Sequence, residues 1–452
     1  MIQQDRIVSL NHRTTTRGAF VLYWMQASQR AVYNHALEFA IRRANDLSLP
    51  LIVLFCLMDD YPEANVRHYT FMLEGLRETA AALRHRRIEF LIRMGSPVLQ
   101  VPLIARRAAL VVTDRGYLRH QKMWRAQVAE RLECPLIQVE TDAIVPVQSA
   151  SPKAEYTAAT LRPKIGRLLL RYLVPVEHRA AAAGLLSLDE DSISLNDLGS
   201  VIGSMNLDRS VPPVPGLRGG ATQAERSLET FIDQKLHLYQ ELRSDPGFAC
   251  SSGLSPYLHF GQISPLQIAL QARERGGPGT EVFLDELIIR RELSLNYVHY
   301  HERYDSLSPL PPWAKATLNA HVMDARPYTY DLASLERGET HDPYWNAAQH
   351  EMVRTGTMHN YMRMYWGKKL IEWSESPEHA FTRAIHLNNR WQMDGRDPNS
   401  YAGVAWCFGM HDRAWSERPI FGKVRYMNAR GLERKFDMNT YLARIGAGRT
   451  AS

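Results

Sequence analysis

The residues best equipped for chemistry lie between His341 and Trp373, in the run HDPYWNAAQHEMVRTGTMHNYMRMYWGKKLIEW. The run reads as helix, yet it carries Trp345, Tyr361, Tyr365, Trp366 and Trp373, which a solvated helix does not need. Met352, Met358, Met362 and Met364 add soft, polarizable surface, and His359, Asn360 and Arg363 sit among them. Asn360 and Arg363 are an i,i+3 pair and share a helix face. Trp366 and Trp373 also share a face, about 10 Å apart along the axis. One helix could hold a planar ligand through Asn360 and Arg363 and line up indoles behind it. The plain alternative is a core helix with an aromatic and methionine stripe, which spacing alone favours.

Other blocks offer complementary groups. Ser251-Ser252-Gly253-Leu254-Ser255-Pro256 is a small, hydroxyl-rich loop entering a helix, able to present hydroxyls and free backbone N–H groups to a phosphate. Tyr239 lies a dozen residues earlier and could add a phenolic donor. An ordinary N-cap and turn would explain the loop equally well. Glu286 sits among Phe283, Leu284, Leu287 and Ile288, with Arg290 one turn on. The default reading is a surface Glu286–Arg290 salt bridge. The sharper one is a carboxyl held in a pocket to bond a base. Asp394 opens the turn DGRDPN and could pair with Arg363, and Asn388-Asn389 just before it suits a helix C-cap. Beyond Trp406, basic and aromatic residues interleave through Arg413, Trp415, Lys423, Arg425 and Tyr426, a pattern suited to a nucleic-acid surface.

The elements that must position these groups fall into two kinds. Apolar runs at 19–25, 51–58, 88–93, 109–113 and 136–140 read as buried strands, alternating with helical patterns that include 28–46 and 68–84. This alternation predicts an α/β domain with a parallel sheet covered on both faces. Ligands on such sheets bind beyond the carboxyl ends of the strands, where Asp59, Asp60 and Asp114 would lie as crevice residues or loop caps. No GxGxxG follows a strand, so the usual dinucleotide fold is not indicated. Residues 155–174 read as a helix interrupted at Pro163, and 185–220 as a Ser-, Asp-, Pro- and Gly-rich linker. From 221 onward the pattern is helical. The expected units are 1–148, a linker with a helix at 149–220, and an all-α domain at 221–452.

The 452 residues, 45% of them hydrophobic and 23% charged, supply ample core. The longest apolar run, Leu49 to Met58, is too short to cross a bilayer, and the first residues have no apolar signal core. A soluble, cytoplasmic, monomeric protein with no membrane partner is expected. Four scattered cysteines, Cys56, Cys134, Cys250 and Cys407, point to free buried thiols, and no metal-ligand spacing or nucleophilic triad is apparent. Of the net charge of +6, most lies after residue 400. There Arg413, Arg418, Lys423, Arg425, Arg430, Arg434, Lys435, Arg444 and Arg449 face only Asp412, Glu417, Glu433 and Asp437. That asymmetry fits a phosphate-backbone surface, and equally a solvated basic tail.

Taken in order, LSPYLHFGQIS (254–264), FLDELIIRREL (283–293), YWNAAQHEMVRTGTMHNYMRMYWGKKLIEW (344–373), DGRDPNSYAGVAWCFGMHDRAW (394–415) and RPIFGKVRYM (418–427) resemble the DNA photolyases, specifically the class II cyclobutane pyrimidine dimer photolyases of the photolyase/cryptochrome family. EYTAATLRPKI at 155–165 is similar too. The resemblance implies an N-terminal α/β antenna domain, an all-helical FAD-binding domain, and light-driven repair of DNA containing cyclobutane pyrimidine dimers. By resemblance, Tyr239, Ser251, Ser252, Leu254 and Ser255 would hold the FAD phosphates. Asn360, Arg363 and Asp394 would frame the isoalloxazine, with Asn388 near flavin N5. Trp366, Trp345 and Trp373 would conduct electrons from the surface, with Tyr365 alongside. Glu286, Met364 and Trp406 would contact the flipped-out dimer, and Arg243, Arg413, Trp415 and Arg425 would grip DNA. The family can carry a second pigment, such as a deazaflavin or a folate, and no motif here chooses one. Position 389 is Asn where the resemblance leads one to expect Asp. The alternatives are a non-repairing cryptochrome-like photoreceptor and a general DNA-binding protein. The few residues after RKFD at 434–437 weigh against the photoreceptor, since such proteins usually carry a long tail.

Overall fold

A computed structural model describes residues 2–188 and 191–447. Six strands form one sheet: β1 (Ile7–Ser9), β2 (Phe20–Met25), β3 (Leu51–Leu57), β4 (Glu89–Met94), β5 (Ala108–Asp114) and β6 (Leu136–Val139). Their order is β1-β6-β5-β2-β3-β4, with β1 antiparallel to β6 and every other pair parallel. β1 has no counterpart in the sequence expectations, because three residues are too few to show a period. The strands alternate as a two-faced sheet must. Val21, Tyr23, Val53, Phe55 and Val112 pack toward helices His35–Asp46 and Val66–His85. Leu22, Trp24, Ile52, Leu54 and Val111 pack toward helices Pro97–Ala105 and Arg119–Arg131.

Two local expectations are corrected. The helix expected from Ser28 starts at His35. Residues 26–34 are instead spent on anchoring, for the Asp114 carboxylate accepts from the backbone N–H groups of Gln26, Ala27 and Ser28. Ser28 Oγ and Arg30 Nη1 both donate to Asp142. Asp114 is therefore a brace rather than a crevice group, and burial pushes its carboxyl up to about 6. Pro163 does not interrupt its helix, which runs Ala158–Tyr172. The proline removes only the bond to Ala159, and both residues are exposed, so water can serve that carbonyl.

The stretch before residue 221 is not free chain. It carries a helix, Leu198–Ser204, and buries Leu195, Val201, Met205 and Leu207 against the first face of the sheet. Beyond it the polypeptide is helical from Ala221 to Ala447. The two parts are joined by a clamp at the start of helix Val66–His85. Asn65 Nδ2 donates to the carbonyl of Arg390 at 2.9 Å, and Arg67 Nη1 to that of Trp391 at 2.8 Å. His68 Nδ1 accepts from Asn65 N–H, which leaves Nε2–H to donate to the carbonyl of Gln392 at 3.0 Å. Burial, with Arg396 adjacent, holds His68 neutral, well below its ordinary range. Three carbonyls at the end of helix Pro377–Trp391, which a helix leaves without partners, are thus satisfied from the other half of the chain.

Glu292 crosses the same boundary. From helix Arg291–Tyr300 its carboxylate accepts from Ile144 N at 2.6 Å and Val145 N at 3.1 Å, and burial pushes its carboxyl up to about 8. The native state therefore holds a proton that the unfolded state has released above its ordinary value near 4.5. Stability should fall as pH rises through that interval, by up to about 1.4 kcal/mol per pH unit. Glu292→Gln should flatten the profile of Tm against pH between 5 and 8; parallel profiles for variant and parent would show that another group carries it.

Candidate functional site

The site is built from helices Pro343–Thr355, Asn360–Trp373, Pro377–Trp391 and Pro398–Cys407, with the segment Asp285–Arg290 closing one side. Helix Asn360–Trp373 begins where His359 Nδ1 accepts from Tyr361 N–H. The preceding helix ends on Gly356 at φ +67°, where a Cβ would also strike Met393. That tight reversal lays the two helices side by side and puts Trp345 between Trp366 and Trp373. The Trp345 and Trp366 rings stack, 6.2 Å apart and 6° from parallel, and Trp373 meets Trp345 edge-on at 5.5 Å. Trp345 Nε1 donates to the carbonyl of Trp366 at 3.1 Å, and Trp366 Nε1 to Gln349 Oε1 at 2.9 Å. Neither acceptor is a base.

Trp373 is not at the surface. It is 2% exposed, and the contact with solvent passes to its neighbours, half-buried Tyr330 at 5.3 Å and exposed His341 at 5.4 Å. Tyr365 is buried alongside, its hydroxyl donating to Asp342 and its ring below Lys369.

Arg363 Nη2 reaches both carboxylate oxygens of Asp394 at 2.9 Å and Gln392 Oε1 at 2.8 Å, while Nε donates to the carbonyl of Met358. Asp394 lies in the turn after helix Pro377–Trp391, and Ser400 Oγ donates to its carbonyl. Asn360 is exposed, and its side chain has no hydrogen-bond partner among the described residues. Asn388 is buried, 5% exposed, and its Nδ2 donates to Asn389 Oδ1. Asp394→Asn would leave the Arg363 guanidinium facing neutral acceptors at a half-buried site, at a cost of about 1–2 kcal/mol. Chemical denaturation should read that loss; an unchanged midpoint would make the pair energetically idle.

The Asp285–Arg290 segment is a turn of π-helix, a distortion that tends to mark functional positions. The expected Glu286–Arg290 pair does not form. Glu286 Oε1 is met by Arg243 Nη1 at 2.9 Å. Arg290 instead approaches Asp285 at 3.7 Å and lies over the Trp406 ring at 5.3 Å. Tyr239 stands beside this pair, edge-on to Phe231 and Phe283, and burial followed by the Glu286 charge pushes its phenol up to about 12. Trp406 is half-buried, with the His411 ring edge-on to it at 5.9 Å. Met364 is half-buried and its sulfur lies 3.9 Å from Cys407 Sγ. All four cysteines are free, Cys56 half-buried and the others buried.

Ser251 is exposed, Ser252 and Ser255 are half-buried, and Leu254 is buried at the head of the short helix Ser255–His259. Ser252 Oγ accepts from Leu254 N–H at 3.4 Å. Among the described residues, no hydrogen bond joins this loop to Asn360, Arg363 or Asp394. On the outer face Trp415, 41% exposed, carries the Arg413 guanidinium at 5.1 Å and that of Arg425 at 5.2 Å. Two cations and one indole make the interleaved pattern into a single surface feature. Arg449 lies outside the described residues.

A crevice was expected beyond the strand ends, and a cavity lies there, although Asp59, Asp60 and Asp114 do not line it. It opens beyond the carboxyl ends of β2, β3 and β5, where the strand order reverses. Trp24, Tyr61 and Trp124 line it from the sheet side, Arg291 and Arg396 from the helical side. Gln26 Nε2, Gln29 Oε1 and Arg396 Nη2 are buried in its lining residues without partners among the described residues. Among the described residues no cluster of three or more His, Cys, Asp or Glu side chains is arranged for a metal, and no helix is long and apolar enough to cross a membrane.

Known proteins share this architecture. The family described as DNA photolyase matches residues 21–182. The deoxyribodipyrimidine photo-lyase of Methanothermobacter thermautotrophicus is 52% identical over 446 residues, spanning 98% of this chain and 99% of its own. That of Potorous tridactylus is 38% identical over 451 residues, spanning 98% and 84%. Among solved structures, a bacterial class III photolyase from Agrobacterium tumefaciens superimposes with TM-score 0.73 at 19% identity, covering 96% of this chain and 87% of that one. An archaeal photolyase from Sulfolobus tokodaii with two FAD molecules gives TM-score 0.71 at 15% identity, covering 94% and 89%.

Proposed function

Because this chain belongs to the DNA photolyase family and acts as a light-dependent DNA-repair lyase, we propose that it is a class II enzyme that binds FAD and splits cyclobutane pyrimidine dimers flipped out of DNA. The observation that carries the reading is the Trp345–Trp366 stack, one helical turn from the Arg363–Asp394 pair. A planar cofactor beside Arg363 would have an indole as its next neighbour in the protein. The donor set fits FAD. Buried Asn388 keeps a free amide oxygen, Asn360 has its amide unpartnered, and the 251–255 loop offers hydroxyls and backbone N–H groups to a pyrophosphate. Bound there, reduced FAD would on illumination supply the electron that opens the cyclobutane ring and is then returned.

The chain's own residues do the rest. Tyr239, Ser251, Ser252, Leu254 and Ser255 would hold the phosphates, and Asn360, Arg363, Asn388 and Asp394 would orient the ring system. A dimer within a duplex cannot reach this depth, so it must be extruded, which is cheapest for a poorly stacked lesion. Glu286 would then bond the pyrimidine edge, and Met364 and Trp406 would supply pliable and flat apolar surface. Arg243 would hold the Glu286 carboxylate toward the lesion, and Arg413, Trp415 and Arg425 would engage the DNA. We assign the antenna unit to 1–148, the connecting segment to 149–220 and the catalytic unit to 221–452. The cavity beyond the sheet would take an antenna pigment, a deazaflavin or a folate; its three polar groups that lack partners among the described residues support a ligand there.

The test is photorepair. Pre-reduced protein and a dimer-containing oligonucleotide are held in darkness or blue light while pyrimidine ultraviolet absorbance is followed. Recovery in light alone supports the reading. A yellow protein whose flavin photoreduces without repair would be a photoreceptor, and a colourless protein would remove the flavin from the site.

A further inference from the structure

We propose that Asn389 and Glu63 are positioning residues that fix the Asn388 amide with its oxygen, and not its nitrogen, toward the flavin. The inference rests on the reading that Asn388 lies at flavin N5. An asparagine amide can face a ligand with either end, and its hydrogen-bond partners decide which. Here the partners leave no choice. The backbone N–H of Arg396 donates to the Asn389 side chain at 2.9 Å, and a backbone N–H can only donate, so the atom it meets is Oδ1. The other end of Asn389 donates to the Glu63 carboxylate, which can only accept, so that atom is Nδ2. Asn389 is thus locked from both sides, and it is fully buried.

Asn388 approaches the same Asn389 Oδ1 at 3.1 Å and must present Nδ2 to it. Its own Oδ1 is then the free end, without a donor among the described residues, on a side chain only 5% exposed. The backbone beneath is held too, since Asn65, Arg67 and His68 satisfy the carbonyls of Arg390, Trp391 and Gln392. Arg396, whose N–H starts the lock, sits at φ +67° and donates from Nη1 to the carbonyl of Asn389. The lock therefore spans both halves of the chain, with Glu63 reaching it from the loop after β3.

Which end faces N5 sets the sign of the effect. An oxidised flavin accepts at N5, and a reduced flavin carrying a proton there donates. A fixed amide oxygen favours the reduced form, and a fixed amide N–H would favour the oxidised form. Asn389 and Glu63 would therefore raise the potential of the first one-electron step of the bound flavin, in which it gains one electron and takes up one proton from solvent at N5.

The experiment measures that potential by spectroelectrochemistry on the flavin-loaded protein. Asn389→Leu, similar in size but without polar atoms, frees the Asn388 amide to turn. The potential should fall by about 59 mV, the equivalent of a tenfold change in relative affinity for a one-electron couple. Glu63→Ala, which truncates an exposed side chain, should shift it in the same direction by a smaller amount. The double variant Asn389→Asp with Glu63→Gln restores an acceptor for Asn388 and a donor for Asp, and should return the potential to the parental value or above. Asn388→Ala reports on the underlying reading. If it shifts the potential while Asn389→Leu and Glu63→Ala do not, the positioning role is overturned and Asn388 keeps its place. If Asn388→Ala shifts nothing, both fall together.

Discussion

With phenylalanine in place of Trp366, illumination should no longer reduce the oxidised flavin, and the rate should drop to background. Repair by chemically pre-reduced protein should be unchanged. On the proposed reading the flavin draws its electron from the nearest indole, and the vacancy moves on through Trp345 to Trp373. The geometry supports that order, since Trp345 stacks on Trp366 at 6.2 Å and touches Trp373 at 5.5 Å. The hydrogen bonds support it as well. Both inner indole N–H groups donate to amide-type oxygens, Gln349 Oε1 and the carbonyl of Trp366, which cannot take a proton. On that reading an oxidised Trp366 or Trp345 would stay a cation and pass its charge outward. Phenylalanine keeps the shape and removes the electron donor. Flavin bleaching under blue light with an external reductant is the readout. Undiminished bleaching in Trp366→Phe would mean that electrons enter by another route.

Glu286→Ala should lower repair on the order of ten- to a hundredfold, the value of a hydrogen bond to a charged group at about 1.5–3 kcal/mol. Flavin content should not change. The carboxylate is held by Arg243 at 2.9 Å, beside Tyr239 and on a π-turn that departs from regular helix. On the proposed reading truncation would remove the acceptor for the pyrimidine edge, and it leaves the Arg243 guanidinium without its carboxylate. Glu286→Gln, which keeps the shape and one acceptor, should fall between. Single-turnover repair by pre-reduced protein separates this from any effect on photoreduction. Equal rates in parent and Glu286→Ala would remove Glu286 from the substrate pocket.

Periodicity carried the sheet and the helical half, because buried strands and amphipathic helices both need long repeats of apolar residues. β1 escaped because its pairing partner, β6, lies some 130 residues away in sequence and three residues carry no period. The helix start at His35 escaped because residues 26–34 are held by Asp114 and Asp142, both remote in sequence. In the site, Arg363 and Asp394 were legible as complementary charges, and the tryptophans as a spaced series. Glu286 was legible but its partner was not. An i,i+4 rule nominated Arg290, whereas the tertiary fold brings Arg243 from 43 residues earlier. Gln349, Gln392 and Glu63 gave no signal at all, and Asn389 stood out only as a C-cap residue and as an Asn where Asp was expected. Each is an ordinary polar residue whose role comes only from what it meets.

The clamp of Asn65, Arg67 and His68 on the carbonyls of residues 390–392 bears on how such a protein can be taken apart. A light-gathering domain on a flexible tether would be an exchangeable cassette. Here the N-terminal half supplies the end cap of a helix that belongs to the other half, and Glu63 of its loop completes a lock around Asn389. Cutting the chain near residue 220 would leave those carbonyls bare and Asn389 held from one side only. The two halves are separable in sequence and inseparable in mechanics, so grafting a foreign pigment-binding domain onto this helical half would require carrying residues 63–68 along with it.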